Sequence, residues 1–436
     1  MNYEETLAYL YERTPAFHKV GPIAYKPGLE RSIALDDISG NPHKRFKSIH
    51  IAGTNGKGSV AHLLAAILEA SGYRVGLYTS PHLIDFRERI RINGRPITKQ
   101  YVVDFVGKNI KFIEREKISF FELTSAMAFD YFRHKKVNYA VIETGLGGKF
   151  DSTNIIKPIV SIITGISMDH MQYLGKTLAD IAYEKAGIMK RSVPVIIGET
   201  HDEELNQIFR SKAFEVSAPI VFSTQRDTLL DAEVQMDGSW IYDSLYYGTL
   251  TGELKGPAQK INTQTVISTL RLLANSGVQV RLSAVRTAFK NVSQMTGLMG
   301  RWQLLQSKPK VICDIGHNPG AWEMNRRLLL FEAGRHDRTH IIIGMSNDKD
   351  IDSMLSVMPK NAVYYYTQAE NNRAFPADEL AIKAQKFELH GQVHHRVTDA
   401  VMKALKNASP NDFILISGSV FVVGEALSLF PDKQML

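Results

Sequence analysis

The amino-acid sequence predicts an α/β protein organised around a doubly wound, mostly parallel sheet. Three observations predict it. Short runs rich in Val and Ile lie at 48–52, 74–79, 139–143, 159–164 and 194–197, and each leads into Gly, Ser or Thr. Continuous apolar runs of this length mark strands buried on both faces. Helical stretches separate the runs, so each strand–helix–strand passage reads as a crossover unit. A glycine-rich turn then joins the first run to a helix, as nucleotide-binding sheets require.

Later elements follow in order. Residues 220–256 hold Asp237-Gly238, Tyr246-Tyr247-Gly248 and alternating polar and apolar positions, which predicts small antiparallel hairpins. A helix is expected at about 260–274. Glycines and methionines around 297–300 break the periodicity, and a domain boundary is placed there. Strand–helix alternation resumes at 311–314, 340–344, 362–366 and 413–416. The expected organisation is a first domain at 1–297 and a smaller, Rossmann-like α/β domain at 298–436.

Composition narrows the function classes. The chain has 436 residues, 44% hydrophobic and 22% charged, which is ordinary for a globular protein and excludes disorder as the main state. One cysteine, Cys313, excludes a disulfide scaffold and a Cys-based zinc cluster. It suits a reducing compartment, so the cytoplasm is expected. The first residues carry acids and lack an apolar core, so no secretory signal is expected. The most apolar stretch, 413–430, contains Gly418, Gly424 and Glu425 and reads as strand, turn and helix, not a membrane span. The net charge of +7 suits anionic partners. No dense Lys/Arg block with interleaved aromatics appears, so nucleotides and polycarboxylates fit better than nucleic acid. A monomer acting on small molecules is expected.

The sharpest motif is Gly53-Thr54-Asn55-Gly56-Lys57-Gly58-Ser59 between a strand and a helix. Its glycines let backbone N–H groups converge, the helix N-terminus adds partial positive charge, and Lys57 adds a full one. Phosphate oxygens are the natural guest of such a P-loop. The spacing departs from Walker A, because Ile51 stands at the first glycine position and Gly58 follows the lysine where Ser or Thr is usual. A magnesium ligand is then expected from elsewhere. Ligands of open α/β sheets bind beyond the carboxyl ends of the strands. Those ends offer Ser80 in Ser80-Pro81-His82, Glu143 before Thr144-Gly145-Leu146-Gly147-Gly148, and His170 in Ser167-Met168-Asp169-His170. Glu143 is what a magnesium-facing carboxylate needs. Taken alone, Ser80 reads equally as a turn residue and His170 as a packed histidine. Glu184-Lys185 reads as a surface ion pair at a helix end.

Together the P-loop, Thr79-Ser80-Pro81-His82-Leu83, the Glu143–Gly148 segment, Asp169-His170 and Glu184-Lys185-Ala186-Gly187-Ile188 resemble the folylpolyglutamate synthases and the bifunctional dihydrofolate synthases of the Mur ligase superfamily. The likeness runs nearly end to end, from Gly28-Leu29-Glu30-Arg31 through Gly300-Arg301-Trp302-Gln303 and Asp314-Ile315-Gly316-His317-Asn318-Pro319 to Ser417-Gly418-Ser419. That family joins L-glutamate to a folate or pteroate carboxylate, driven by ATP through an acyl phosphate. The resemblance implies that Ser80, Glu143 and His170 bind magnesium, with two ions expected, and that Ser80 supplies the hydroxyl the loop lacks. It implies nucleotide contacts from Gly53, Thr54, Asn55, Gly56, Lys57, Gly58, Ser59, Asn262, Arg301 and Asp314. It implies catalytic roles for Lys57, for Lys185, which in the family is often carbamylated, and for His317. His317 and Ser417 are candidates for gripping the incoming glutamate. This chain departs from the family pattern with Met299 at a proline position and Gly316 at an alanine position.

Two other readings stay open from sequence. A Mur-type ligase of cell-wall synthesis shares the superfamily, though Ser80-Pro81-His82 and Glu30-Arg31 fit the folate branch better. A P-loop ATPase without ligase activity would need no second domain. Gly-x-Gly-x-x-Gly, His-Glu-x-x-His and Gly-x-Ser-x-Gly are absent, so a dinucleotide enzyme, a zincin and a serine hydrolase lose their main arguments.

Overall fold

The computed structural model describes residues 1–14, 28–200 and 202–433. The first sheet comprises β1 (Lys47–Ala52), β2 (Val75–Tyr78), β3 (Ile90–Ile92), β4 (Arg95–Pro96), β5 (Tyr139–Glu143), β6 (Val160–Ile163), β7 (Val195–Ile197) and β8 (Ile220–Phe222). Their order is β4-β3-β2-β5-β1-β6-β7-β8. All neighbours from β2 to β8 are parallel, and β3 and β4 form an antiparallel hairpin on the β2 edge. Residues 220–222, expected among hairpins, are instead the last parallel strand of the main sheet. Apolar residues on both faces of Ile-Val-Phe suit that burial. The hairpins themselves form from β9 (Leu229–Val234), β10 (Trp240–Ser244) and β11 (Gly248–Gly252).

Strand residues divide by parity between two layers, as the pleat dictates. Ile49, Ile51, Leu77, Val141 and Ile162 face the helices Lys57–Ala70, Ala258–Asn275 and Leu282–Thr296. Tyr78, Ala140 and Ile142 face the helices Tyr3–Arg13, Lys99–Glu116 and Phe120–His134. Trp240, Tyr242 and Leu250 attach the small antiparallel sheet to the first layer.

The helix Leu282–Thr296 ends at Gly297, which takes φ +69°. A second sheet follows: β12 (Gln303–Ser307), β13 (Lys310–Cys313), β14 (Thr339–Ile343), β15 (Val363–Thr367), β16 (Gly391–His394) and β17 (Phe413–Ser417), ordered β12-β13-β17-β14-β15-β16. Only β12 is antiparallel. Helices cover both faces, with Val401, Ala404 and Val423 on one side and Trp322, Leu355 and Leu380 on the other. The stretch 413–430 is strand β17 followed by the helix Val420–Leu427. Among the described residues no helix is long and apolar enough to cross a membrane.

Two imidazoles lie in the first core. His50 Nε2 is 2.8 Å from Thr153 Oγ1, and His62 Nδ1 is 2.7 Å from Thr296 Oγ1. Burial pushes each down to about 3 from an ordinary 6.5. Between those values the unfolded chain binds more protons, so stability falls as pH drops below 6.5. The loss is about 1.4 kcal/mol per histidine per pH unit. Urea midpoints measured from pH 7 to 5 should therefore decline, and His50→Gln should show a shallower decline whatever its absolute stability. Equal slopes for the two proteins would contradict this.

Candidate functional site

The strand order settles which loops meet. β2, β5, β1 and β6 are consecutive neighbours, with Ile51 opposite Glu143 and Ala52 opposite Ile163. The residues after these four strands therefore converge at one sheet edge, where the second domain closes over them. The resulting cleft measures about 360 Å³ and is lined by residues 53–59, Ser80, Glu143, His170, Lys185, Asn262, Arg301, Asp314 and His317. Ser417 does not line it. It is fully buried under β17, with its hydroxyl 3.4 Å from the Gly316 carbonyl, whereas Ser419, one turn residue further on, does reach the wall. The turn explains the swap: Ser417 is the last residue of β17, and Gly418 at φ +99° breaks the strand direction before Ser419.

The P-loop is shaped by contacts that exclude side chains. Gly53 has φ +144° and Gly56 φ +91°; a Cβ on the first would lie 1.8 Å from Thr164 Oγ1 and on the second 2.4 Å from Asn262 Oδ1. Gly56 opens the helix Lys57–Ala70, and no side chain caps its first amides. A side chain at position 58 would start 3.2 Å from the Arg301 guanidinium. The departure from Walker A thus has a tertiary reason, since a cation from the second domain occupies the space beside Gly58. Lys57 Nζ donates to the carbonyls of Gly53 and Thr54 at 3.0 and 3.1 Å. Burial lowers its pKa, against the pull of Glu143 and Asp169.

Glu143 ends β5 and is 3% exposed. Its Oε2 accepts the Ser80 N–H at 3.2 Å, which brings the Ser80 hydroxyl alongside. Burial raises its pKa, while Lys57 acts to lower it. His170 takes a left-handed conformation, φ +51°, after Asp169. Burial, then Lys349, lowers its pKa, against the pull of Asp169 and Asp348. Burial works against the Asp169 carboxylate, but His170, Lys349 and His317 outweigh it and hold it well below the usual range.

Lys185 is not the surface residue its sequence context suggested. It is 4% exposed, and its Nζ donates to the Gly53 carbonyl at 2.8 Å. Burial, reinforced by Lys57, lowers its pKa to about 7. In the second domain, Asp314 accepts N–H bonds from Trp302 at 3.0 Å and Gly316 at 2.9 Å, and one from Asn325 Nδ2 at 2.8 Å. It thereby holds Trp302 at φ +48°, a strained conformation for a bulky residue, and sets the direction of Arg301.

Sequence reasoning missed several cleft residues. Lys349 Nζ lies 2.6 Å from Asp169 Oδ1, and Arg373 pairs with Asp348 at 2.6 Å. The run Asp348-Lys349-Asp350 just beyond β14 was readable by the same strand-end rule. Arg89 is 4% exposed, donates through Nε to His82 Nδ1 at 2.7 Å, and stands 5.2 Å from the centroid of the Phe120 ring. It lies just before the short hairpin of β3 and β4, which no apolar run announces. Among the described residues no three His, Cys, Asp or Glu side chains gather as a metal cluster.

Residues 51–239 match the model of the Mur ligase middle domain, and residues 300–420 match that of the Mur ligase, glutamate ligase domain. A Bacillus subtilis protein named dihydrofolate synthase/folylpolyglutamate synthase is 30% identical over 92% of this chain and 94% of its own length. A Haloferax volcanii protein named probable bifunctional folylpolyglutamate synthase/dihydropteroate synthase is 31% identical over 98% of this chain, which spans 50% of that longer relative. Among solved structures, E. coli FolC in complex with DHPP and ADP superposes with a TM-score of 0.83 at 27% identity, covering 99% of this chain and 98% of that one. The Yersinia pestis bifunctional folylpolyglutamate synthase/dihydrofolate synthase, complexed with AMPPNP and Mn ion, gives 0.79 at 28% identity, covering 98% of each chain. With this fold, this cleft and these relatives, the chain belongs to the folylpolyglutamate synthase/dihydrofolate synthase family of Mur ligases.

Proposed function

We propose that this protein is an ATP-dependent ligase that adds L-glutamate to the carboxylate of a reduced folate and also converts dihydropteroate to dihydrofolate. The observation that carries it is the convergence of Lys57, Ser80, Glu143, His170 and Lys185 with Arg301, Asp314 and His317 on one cleft between two α/β units. We take those units as residues 1–297 and 298–436, acting as a cytoplasmic monomer.

A carboxylate is a poor electrophile at neutral pH. Transfer of the ATP γ-phosphoryl group makes an acyl phosphate, and the glutamate amine attacks it, forming the amide bond and releasing phosphate. The protein's share is placement and charge neutralisation. Backbone N–H groups from Gly53 to Ser59 and the Lys57 ammonium hold the β- and γ-phosphates, with Arg301 closing from the far side. Asn262 and Asp314 frame the nucleotide. Arg89, buried beside Phe120, suits the carboxylate end of the folate. His317, 3.6 Å from Asp169, faces the incoming glutamate.

The donor set fits magnesium. The Glu143 carboxylate is buried, and burial disfavours its charged form, so a cation at its oxygens would add to the pull of Lys57 in keeping it ionised. Ser80 and Glu143 offer hard oxygens, and His170 offers a ring nitrogen to a second ion. Bound there, the metal would neutralise phosphate charge. Lys185 is suited to carbamylation. An amine with a pKa near 7 is largely unprotonated at slightly alkaline pH, and its lone pair can add to carbon dioxide, with loss of a proton, to give a carboxylate-like ligand.

The test is ADP release with L-glutamate plus tetrahydrofolate, then with L-glutamate plus dihydropteroate. ADP should form only when both ATP and the acceptor pair are present, one per glutamyl product. ADP release that ignores glutamate would favour a bare ATPase.

A further inference from the structure

The two sides of the cleft are joined by a reciprocal pair of side-chain amides. Asn55, in the P-loop, donates from Nδ2 to Asn318 Oδ1 at 3.2 Å, and Asn318 Nδ2 donates back to Asn55 Oδ1 at 3.0 Å. Asn55 Nδ2 also donates to Ser167 Oγ at 3.1 Å, in the loop after β6. Asn318 is 3% exposed. Its Oδ1 accepts the Ala321 N–H at 2.9 Å and so caps the helix Pro319–Ala333, while its Nδ2 comes within 3.4 Å of Asp169 Oδ2. Just beyond it, a Cβ at Gly320 would lie 3.3 Å from Ser167 Oγ, so the domains touch at this point with no space between them. One side chain thus sets the start of a second-domain helix and grips the phosphate loop of the first.

We propose that Asn318 is a positioning residue that registers the second domain on the P-loop. It touches no reacting atom in the mechanism above. It acts through its neighbours: His317 precedes it on the same turn, and Asp314, which aims Arg301, lies four residues back. The amide pair ties Asn318 to the P-loop conformation seen here, in which Asn55 also donates to Ser167. Arg301 and His317 are therefore delivered to the phosphates in register with the loop itself. The inference rests on reading residues 53–59 as the nucleotide site. It goes beyond that reading by assigning a residue whose loss should spare nucleotide binding and slow chemistry. Misplacement of catalytic groups by about 1 Å can cost about 100-fold.

The test uses the full chain carrying Asn318→Ser or Asn318→Asp. Both replacements keep an oxygen acceptor for the Ala321 N–H, so the helix cap survives. Serine is too short to reach Asn55, and aspartate has no donor for its carbonyl. Expected for both are a thermal midpoint within a few degrees of the parent, an ATP dissociation constant within about twofold, and a kcat for glutamate ligation lower by about 100-fold. Asn55→Ser with Asn318→Ser should be no slower than the slower single variant, because the two amides act as one unit. A kcat within threefold of the parent in both Asn318 variants would overturn the proposal. So would a loss of ATP affinity that accounts for the whole fall in rate, or multiplicative effects in the double variant. If one Asn318 variant fails to fold, the other decides by the same criteria. A parent protein that neither binds ATP nor ligates glutamate would instead reject the functional reading, which keeps the two failures apart.

Discussion

Lys57→Ala should lower kcat/KM for glutamate ligation by about a thousandfold or more while the protein stays folded. The expected size follows from the loss of a full charge aimed at transferring phosphate inside a water-poor cleft, where removal of even a single neutral donor costs about 10²–10³. The fold should not suffer, because the Lys57 ammonium is a buried charge whose partners are two loop carbonyls, and burial already disfavours its charged form. Glu143→Ala should fail as completely for a different reason. It removes a buried carboxylate from the end of a central strand and leaves the Ser80 N–H without its acceptor. Circular dichroism and a thermal melt establish folding, and ADP release at saturating ATP and Mg²⁺ establishes the loss. Normal turnover in either variant would reject these assignments.

Lys185→Ala should lose activity by about 100-fold and, unlike the Lys57 variant, should be partly restored by short carboxylic acids. The contrast follows from what each lysine is for. Lys57 serves as a cation, and no small acid can replace it. Lys185 is buried against the Gly53 carbonyl with a pKa of about 7, and as a carbamate it would serve as an anion. An acetate ion in the space left by alanine would supply the missing oxygens. Bicarbonate should also raise the activity of the parent protein depleted of carbon dioxide, and should do so more at pH 8 than at pH 6, because the neutral amine fraction grows as pH rises through 7. Absence of rescue, together with indifference to bicarbonate, would remove the carbamate and leave Lys185 as a contact that shapes the P-loop.

The parallel strands other than β8 and β16 were legible because they are apolar almost without interruption, whereas β16, Gly391–His394, is largely polar and exposed and gave no run. Each run lies within a residue or two of its observed strand, as with 159–164 against Val160–Ile163. The hairpin of β3 and β4 was not legible. It is an edge of very short strands, and Arg91, buried within it, looks in the sequence like an exposed charge. For the same reason Arg89 escaped notice, although it stands in the cleft wall. The antiparallel β12, Gln303–Ser307, has only two apolar residues and gave no continuous run.

Local chemistry alone marked the P-loop and the residues beyond most of the buried strands, because glycine placement and apolar periodicity act over a few residues and leave their trace in order along the chain. Folding alone could decide that β2, β5, β1 and β6 stand side by side, that Lys185 turns inward, that Ser419 and not Ser417 meets the cleft, and that Lys349 crosses to Asp169 over 180 positions. Strand order and domain closure are set by packing between distant surfaces, and the energy of such contacts belongs to no single stretch of chain.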